Sequence, residues 1–433
     1  MTETPLATTR VLFSDLHGNS HGKYVDSAKL DHPTHYAITV LTQGLNLDMV
    51  EAPGFGADVG YPDMEGRVDV CTRRAGWEPG IDIALADLWR TDDHERVALD
   101  PRWALSRQVD RWRERGLEPL TGFEMEFFVL AEPSDGKNRL TPLPVPSHRV
   151  YAAGPGCDPS GLALEIYQRC RRAGIAVDGY NGEFHPGQVE IATGYRTAMD
   201  AADDAFLFRE LAREVALERG MGVTFMARPF AEFVGNGMHL NISMSGTDGT
   251  NQFHAPDEPH GLSTVCGHAI AGLLAHHEGL TAIGAPTVNS YKRLMPGMLS
   301  GYWANWGVDN RISTVRVPGE RGPATRIEHR MADGTASPHL VLAALLAAMA
   351  DGVEQSMTLP EPQVGDGDAA PNTDRHSPHD LPSALDALEQ DRVLVEALGD
   401  DLVACFVKIK RAECARWAAA VTDWEHQEYG RFF

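Results

Sequence analysis

Gly122-Phe123-Glu124-Met125-Glu126-Phe127-Phe128-Val129-Leu130 is the stretch around which this chain is organised. Aromatic and β-branched residues dominate it, and a Pro/Ser/Asp/Gly loop at Pro133 to Gly136 follows, so it predicts a β-strand. Side chains alternate faces along a strand. Glu124 and Glu126 therefore share one side, while Phe123, Met125 and Phe127 point into a core. Two carboxylates roughly 7 Å apart on one strand repel each other unless cations sit between them. A lone Glu-x-Glu more often marks a solvated face, and the other strands of the chain decide which reading applies.

Length and composition bound the answer. At 433 residues the chain predicts two domains, with a boundary between Asp93 and Pro101 that divides it into 1–97 and 98–433. The formal net charge of −23 argues against a nucleic-acid or anionic-membrane partner. Six scattered cysteines with no Cys-x-x-Cys pair argue against a thiolate zinc site or a disulfide scaffold, and fit a reducing cytoplasm. Met1 to Thr9 has neither the basic start nor the apolar run of a signal peptide. The longest apolar run, Leu340 to Ala350, is too short to span a bilayer.

Ahead of the central strand, Thr9 to Asp15 predicts a first strand, with a hairpin turn and return over Leu16 to Val25. Gly22-Lys23 is not a phosphate-binding loop: its spacing from Gly18 is wrong, and Tyr24 stands where Ser or Thr is needed. The glycines of Gly54 to Gly60 likewise miss the dinucleotide fingerprint by one residue. Trp103, Leu105, Val109 and Trp112 fall at helical spacing.

Beyond the central strand, helices are predicted over Pro159 to Gly174 and Thr197 to Gly220, and a strand over Ile175 to Asp178. Pro186-Gly187 signals a bend that lets Glu183 and Glu190 face one space. Met238 to Met244 alternates as a strand with His239, Asn241 and Ser243 on one face, after a loop carrying Gly235 and Gly237. Arg311 to Arg316 reads as a further strand, and Arg326, Glu328 and Arg330 share one face. Ser337-Pro338 opens an apolar helix from His339 to about Val353. Met357 to Pro382 reads as Pro/Gly/Asp-rich surface chain, and the segment from Ser383 as helical.

Each polar face alone is compatible with water. Together Glu124, Glu126, Glu183, Glu190, Glu328 and His239 form a set suited to hard divalent cations, Mg²⁺ or Mn²⁺, rather than zinc. Arg293, Arg311, Arg316, Arg326 and Arg330 complement carboxylate and phosphate. Cations and arginines around phosphate are the equipment of phosphoryl transfer. The pattern does not choose a substrate.

At these same residues the chain resembles glutamine synthetase and its γ-glutamyl-amine ligase relatives. The resemblance rests on Gly122 to Phe128, on Glu183 through Pro186-Gly187-Gln188 to Glu190, and on Gly237-Met238-His239. It continues through Asn289 to Leu294, Asn310-Arg311 and Arg326 to Arg330. It implies an α+β fold: a β-grasp-like N-terminal domain, then a catalytic domain with a curved antiparallel sheet flanked by helices. It also implies a cytoplasmic homo-oligomer of stacked rings, usually a dodecamer, with each site between neighbouring subunits.

By motif position, Glu126, Glu183 and Glu190 would hold one metal and Glu124, His239 and Glu328 another. Gly235, Arg293 and Arg330 would hold glutamate, and Arg311 and Arg316 the transferring phosphate. Asp178, Tyr195, Asn241, Ser243 and Arg326 would line ATP. The implied reaction phosphorylates the γ-carboxylate of glutamate with ATP, and a nitrogen nucleophile then displaces phosphate. Glu126, Arg311 and Arg316 would be the catalytic residues.

Three departures matter. Leu299 stands where true glutamine synthetases carry the loop glutamate that takes a proton from ammonium. The segment whose aspartate binds ammonium has no match in Gly54 to Asp63, although Asp58 is nearby. The tyrosine adenylylated in some bacterial enzymes falls at His379. The first two remove negative charge and leave Leu299, Tyr302 and Trp303 as an apolar amine pocket. The expectation is an ATP-dependent glutamate–amine ligase. The alternatives are a glutamine synthetase using ammonia and a non-catalytic structural homologue.

Overall fold

The computed structural model describes residues 7–131 and 140–433. The loop predicted at Pro133 to Gly136 lies outside them.

The N-terminal part is a five-stranded mixed sheet. Its strands are β1 (Thr8–Ser14), β2 (Ser20–Asp26), β3 (Thr34–Ala37), β4 (Asp63–Ala75) and β5 (Ile81–Arg90), in the order β2-β1-β5-β4-β3. β1 and β2 form the antiparallel hairpin that the sequence predicts, and β1 runs parallel to β5. Helix α1 (Pro101–Arg113) follows, capped by the Asp100 carboxylate on the Arg102 N–H. Its Leu105, Val109 and Trp112 are fully buried. Arg102 ties the two parts together, because its guanidinium bonds Asp69 on β4 (2.8 Å), Asp87 on β5 (2.6 Å) and the buried Asp203 (3.0 Å).

The second sheet is built around β6 (Leu117–Leu130). Helix α2 (Leu162–Arg172), β7 (Val177–Gly182), β8 (Gln188–Thr193) and β9 (Arg196–Thr197) come next. They are followed by α3 (Ala198–Glu218), which carries Asp203, then β10 (Gly222–Thr224) and β11 (Met238–Gly246). Helices α4 (Thr264–Ala275) and α5 (His277–Gly284) precede β12 (Trp306–Val308), β13 (Val315–Val317) and β14 (Ile327–His329). The sheet runs β12-β13-β14-β11-β6-β8-β7, with β9 and β10 also paired to β6. Phe123, Met125 and Phe127 are buried beneath β6, with Met238, Leu240, Ile242 and Met244 of β11 also in the core.

That core is filled by α6 (Pro338–Glu354), of which every residue from Pro338 to Gly352 is buried. Trp112 of α1 donates its indole N–H to the Leu346 carbonyl on α6 at 3.0 Å. The C-terminal segment forms α7 (Leu381–Gln390), α8 (Arg392–Leu398), α9 (Asp400–Ala419) and α10 (Asp423–Tyr429). Among the described residues no helix is long and apolar enough to cross a membrane.

Three local expectations change. The strand predicted at Ile175 to Asp178 begins at Val177 and runs on to Gly182, because Ile175 and Ala176 are drawn into the turn after α2. Arg311 to Thr314 is a turn and only Val315–Val317 is a strand. Asn310 accounts for this: its Oδ1 accepts from the Ile312 N–H at 3.0 Å, a local bond that competes with a strand ladder. Met357 to Pro382 is largely irregular as read, but it is not simply surface chain. Gln363 and Ser377 are buried, and a backbone bridge joins Trp303 to His376.

Candidate active site

Register alone assembles one polar face on the second sheet. β6 and β11 are antiparallel with Glu124 opposite His239, and β6 and β8 are antiparallel with Glu126 opposite Glu190. β14 places Glu328 opposite Asn241 on one side and Arg316 on the other. Since odd and even positions alternate, the apolar partners of all these residues fall on the opposite face. The Pro186-Gly187 turn, with Gly187 at φ +78°, returns the chain so that Glu183 follows β7 and Glu190 lies on β8. A Cβ on Gly187 would meet the Leu143 carbonyl oxygen at 3.0 Å, a second reason for glycine there.

The carboxylates are close and unequally neutralised. The Glu124 Oε2 lies 3.2 Å from the His239 Nδ1, and its Oε1 accepts from the Asn241 amide at 2.9 Å. Burial works to raise the Glu124 carboxyl, but His239, Asn241 and the charge of Arg330 outweigh it and hold it at about 2. Glu126 Oε2 accepts from the Gly237 N–H at 2.7 Å.

Glu183 has weaker help, and the charges that bear most on Glu190 are other carboxylates. Burial, followed by the charge of Glu126, pushes Glu183 up to about 7, despite a bond from the Asn181 amide at 3.1 Å. Burial, then Glu124, Glu126, Glu183 and Glu328, pushes Glu190 up to about 9. Glu124, Glu190 and His239 each offer a ligand atom within 4.8 Å of the others. Oxygen-rich, mutually repelling carboxylates with one imidazole fit a hard divalent cation.

The arginines close one side of this face. Glu328 is 1 % exposed and carries two of them: Arg316 Nη1 on Oε2 at 2.5 Å and Arg330 Nη1 on Oε1. The other limb of Arg316 holds the exposed Asp309 at 2.6 Å. Arg330 Nε donates to the Arg311 carbonyl at 3.1 Å and its Nη2 to the Leu299 carbonyl at 3.5 Å. Arg311 is exposed, and its charge reaches Glu183. Arg293 is buried, with Nη1 on the Met331 carbonyl at 2.9 Å and Nη2 on the Arg330 carbonyl at 3.3 Å. Gly235 and Gly237 make room for it: a Cβ on Gly235 would meet Arg293 Cδ at 2.8 Å, and one on Gly237 would meet Arg293 Nη2 at 2.9 Å.

Beside Glu124 opens a cleft of about 350 Å³ lined by Gly122, Asp178, Tyr195, Asn241 and Arg326, among others. Arg326 Nε donates to the Asn241 Oδ1 at 3.0 Å, and so links the cleft to the Asn241 amide that holds Glu124. A Cβ on Gly122 would crowd the Tyr195 ring at 3.3 Å, so glycine there lets that ring lie close to the β6 backbone. Ser243 shares the strand face with Asn241 but is buried outside the cleft's lining.

Leu299 is 36 % exposed, next to Arg330. Tyr302 is buried, its ring stacked on His376 at 5.0 Å and edge-on to Trp303 at 5.0 Å. Asp58 is exposed on the N-terminal part and accepts from the Gly54 N–H at 2.7 Å.

Sequence reasoning passed over several residues that shape the site. Asn181 bonds Glu183, Asp309 bonds Arg316, and Gln188 fastens the Gly235 carbonyl at 3.0 Å. Asp309 and Asn181 each stand within two residues of a site residue, which was the available signal. Gln188 was legible as a residue of the Glu183 to Glu190 turn, but its role depends on a fold contact.

Residues 98–429 match the family model described as glutamine synthetase, catalytic domain. The chain is 34% identical over 433 residues to the gamma-glutamylethanolamide synthetase GlnA4 of Streptomyces coelicolor, covering 96% of this chain and 91% of that one. It is 35% identical over 364 residues to the glutamine synthetase of Methanocaldococcus jannaschii, covering 82% and 79% respectively. A solved GmaS/ADP complex is similar at a TM-score of 0.86 and 29% identity, over 99% of this chain and 97% of that one. The chain belongs to the glutamine synthetase family of ATP-dependent ligases.

Proposed function

We propose that this protein joins the γ-carboxylate of glutamate to an organic amine, at the expense of ATP, through γ-glutamyl phosphate. The observation that carries the choice of nucleophile is Leu299. It lies beside Arg330, where a carboxylate would be needed to bind ammonium and take its proton, and it offers only apolar surface. The similarity to a gamma-glutamylethanolamide synthetase and to GmaS over nearly the whole chain supports the same reading.

In this reading Glu126, Glu183 and Glu190 hold one Mg²⁺ or Mn²⁺, and Glu124, His239 and Glu328 another. Divalent cations bound there supply the positive charge that lets phosphate and carboxylate oxygens approach one another. Arg293, Arg330 and the open backbone at Gly235 orient glutamate. Arg316 stands ready for the phosphate, because its exposed partner Asp309 is exchanged at little cost while Glu328 keeps the guanidinium aimed. Arg311 serves the same phosphate. Asp178, Tyr195, Asn241 and Arg326 receive ATP in the cleft beside Glu124, with Ser243 behind its lining.

After phosphoryl transfer releases ADP, the amine nitrogen attacks the acyl carbon, loses a proton, and inorganic phosphate leaves. Tyr302 and Trp303 back the loop that carries Leu299. Division into an N-terminal domain at 1–97 and a catalytic domain at 98–433, a ring-stacked dodecamer, and a cytoplasmic location belong to the same proposal. Support comes from the two separate sheets and from family membership.

The test is phosphate release with glutamate, ATP and Mg²⁺ across a panel of ammonium, ethanolamine, alkylamines, polyamines and anilines, with product mass. An organic amine should have the highest kcat/KM. If ammonium is best, the protein is a glutamine synthetase, and no turnover with any nucleophile leaves only a structural homologue.

A further inference from the structure

The loop at residues 297–303 is tied across its mouth by one carboxylate from a distant stretch of chain. Asp368 Oδ2 accepts from the Gly297 N–H at 2.8 Å, and its Oδ1 accepts from the Trp303 indole N–H at 3.1 Å. Leu299 sits between these two points at φ +51°, a left-handed conformation that non-glycine residues rarely adopt. Such backbone persists only where its surroundings over-determine it. Here the determinants are the two bonds to Asp368 and the Arg330 bond to the Leu299 carbonyl at 3.5 Å.

Asp368 is itself held. Asp366 Oδ1 accepts from the N–H groups of Asp368 (3.0 Å) and Ala369 (3.1 Å). The buried Gln363 fixes the start of the same arm, with its N–H on the Trp306 carbonyl at 2.7 Å and its amide on the Ala370 carbonyl at 3.1 Å. The Asn310 amide holds the Gly365 carbonyl at 2.9 Å, beside the turn that carries Arg311. The arm is thus anchored to the active-site sheet and carries a carboxylate to the loop.

We propose that Asp368 is a positioning residue for the amine subsite, closing the 297–303 loop on itself so that Leu299 and Trp303 present a fixed surface to the carbon skeleton of the amine. The inference rests on the glutamate–amine ligase reading. A carboxylate accepting two N–H donors is suited to this because bonds to an ionised acceptor are stronger than neutral ones. A small nucleophile such as ammonium makes no use of that surface and should be indifferent to it.

The experiment compares wild type, Asp368→Ala, Asp368→Asn, Trp303→Phe and Asp368→Ala/Trp303→Phe, as full-length enzyme with ATP, glutamate and Mg²⁺. Asp368→Ala removes both charged-acceptor bonds and should raise KM for the best organic amine at least about tenfold, while leaving KM for glutamate and ATP and kcat/KM for ammonium within about twofold. Asp368→Asn can still accept one N–H and should fall between, which keeps the test usable if the alanine variant folds poorly. In the Trp303→Phe background Asp368→Ala should add less than it does alone, because both changes break one shared bond. Unchanged KM for the amine, a uniform rise for all substrates, or strict additivity would overturn the role of Asp368 while leaving a wild-type preference for the organic amine intact. A wild-type preference for ammonium would overturn both.

Discussion

Glu126 and Glu190 stand directly opposite each other on neighbouring antiparallel strands, β6 and β8. Like charges at such a position are destabilising, and burial adds to the cost. A fold that keeps both is built to receive positive charge between them.

This pairing predicts that Glu190→Gln raises the stability of the metal-free protein while removing activity. The Glu190 carboxyl is pushed up to about 9, far above its ordinary value near 4.3, so its share of stability is present below about pH 4.3 and is lost as pH rises through 9. Melting temperature of metal-free wild type should fall between about pH 5 and pH 9, and the variant should fall less and melt roughly 2 °C or more higher at pH 8. With saturating Mg²⁺ the order should reverse. Scanning calorimetry with EDTA and with Mg²⁺ checks both arms, and a variant less stable without metal contradicts the repulsion.

Glu183→Ala and Glu328→Ala should both abolish turnover and weaken Mg²⁺ or Mn²⁺ binding, measured by phosphate release and titration calorimetry. Their stabilities should diverge. Removing Glu183 relieves repulsion, whereas removing Glu328 strands Arg316 and Arg330 beside a buried position and should cost about 3–5 kcal/mol. Near-normal activity in either variant would show that the cluster is not a metal site.

Leu299→Glu should erode the preference for an organic amine over ammonium. Each methylene that Leu299 helps to bury contributes about 0.8 kcal/mol, about fourfold in preference apiece. Full use of ammonium is not expected, since Asp58 is held by Gly54 in an exposed loop. The ratio of kcat/KM values for the two nucleophiles is the measurement, and an unchanged ratio removes Leu299 from the amine subsite.

His276 predicts a pH dependence away from the site. Its Nδ1 lies 2.7 Å from the Asp391 carboxylate and its Nε2 3.0 Å from the Asp351 carboxylate, so both nitrogens donate and the ring is an imidazolium. Burial pulls its pKa down, but the two aspartates outweigh that and raise it. A raised histidine stabilises fully below about pH 6.5 and loses that contribution as pH climbs through its folded value. His276→Gln should therefore lower the melting temperature more at pH 6 than at pH 9, and an equal loss at both would show that charge is not involved.

Alternation along Gly122 to Leu130 and Met238 to Met244 determined by itself which residues line the polar face and which fill the core, because a strand's period of two leaves no other arrangement once one face is apolar. The motif spacing likewise made the family legible before any fold was in view. Tertiary structure decided what each group meets. The register between β6 and β8, not spacing within either strand, sets Glu126 against Glu190; burial first and then the charges of Glu124 and Glu126 drive the Glu190 carboxyl up, while His239 helps hold Glu124 down. Glu328 and Arg330 are near in sequence, yet Arg316 reaches the same carboxylate from another strand. The segment after Met357 looked like plain surface chain because its bonds to the 297–303 loop run between residues about seventy apart, and no local pattern records such a contact. Periodicity is written in neighbours along the chain, whereas charge, burial and partnership depend on neighbours in space.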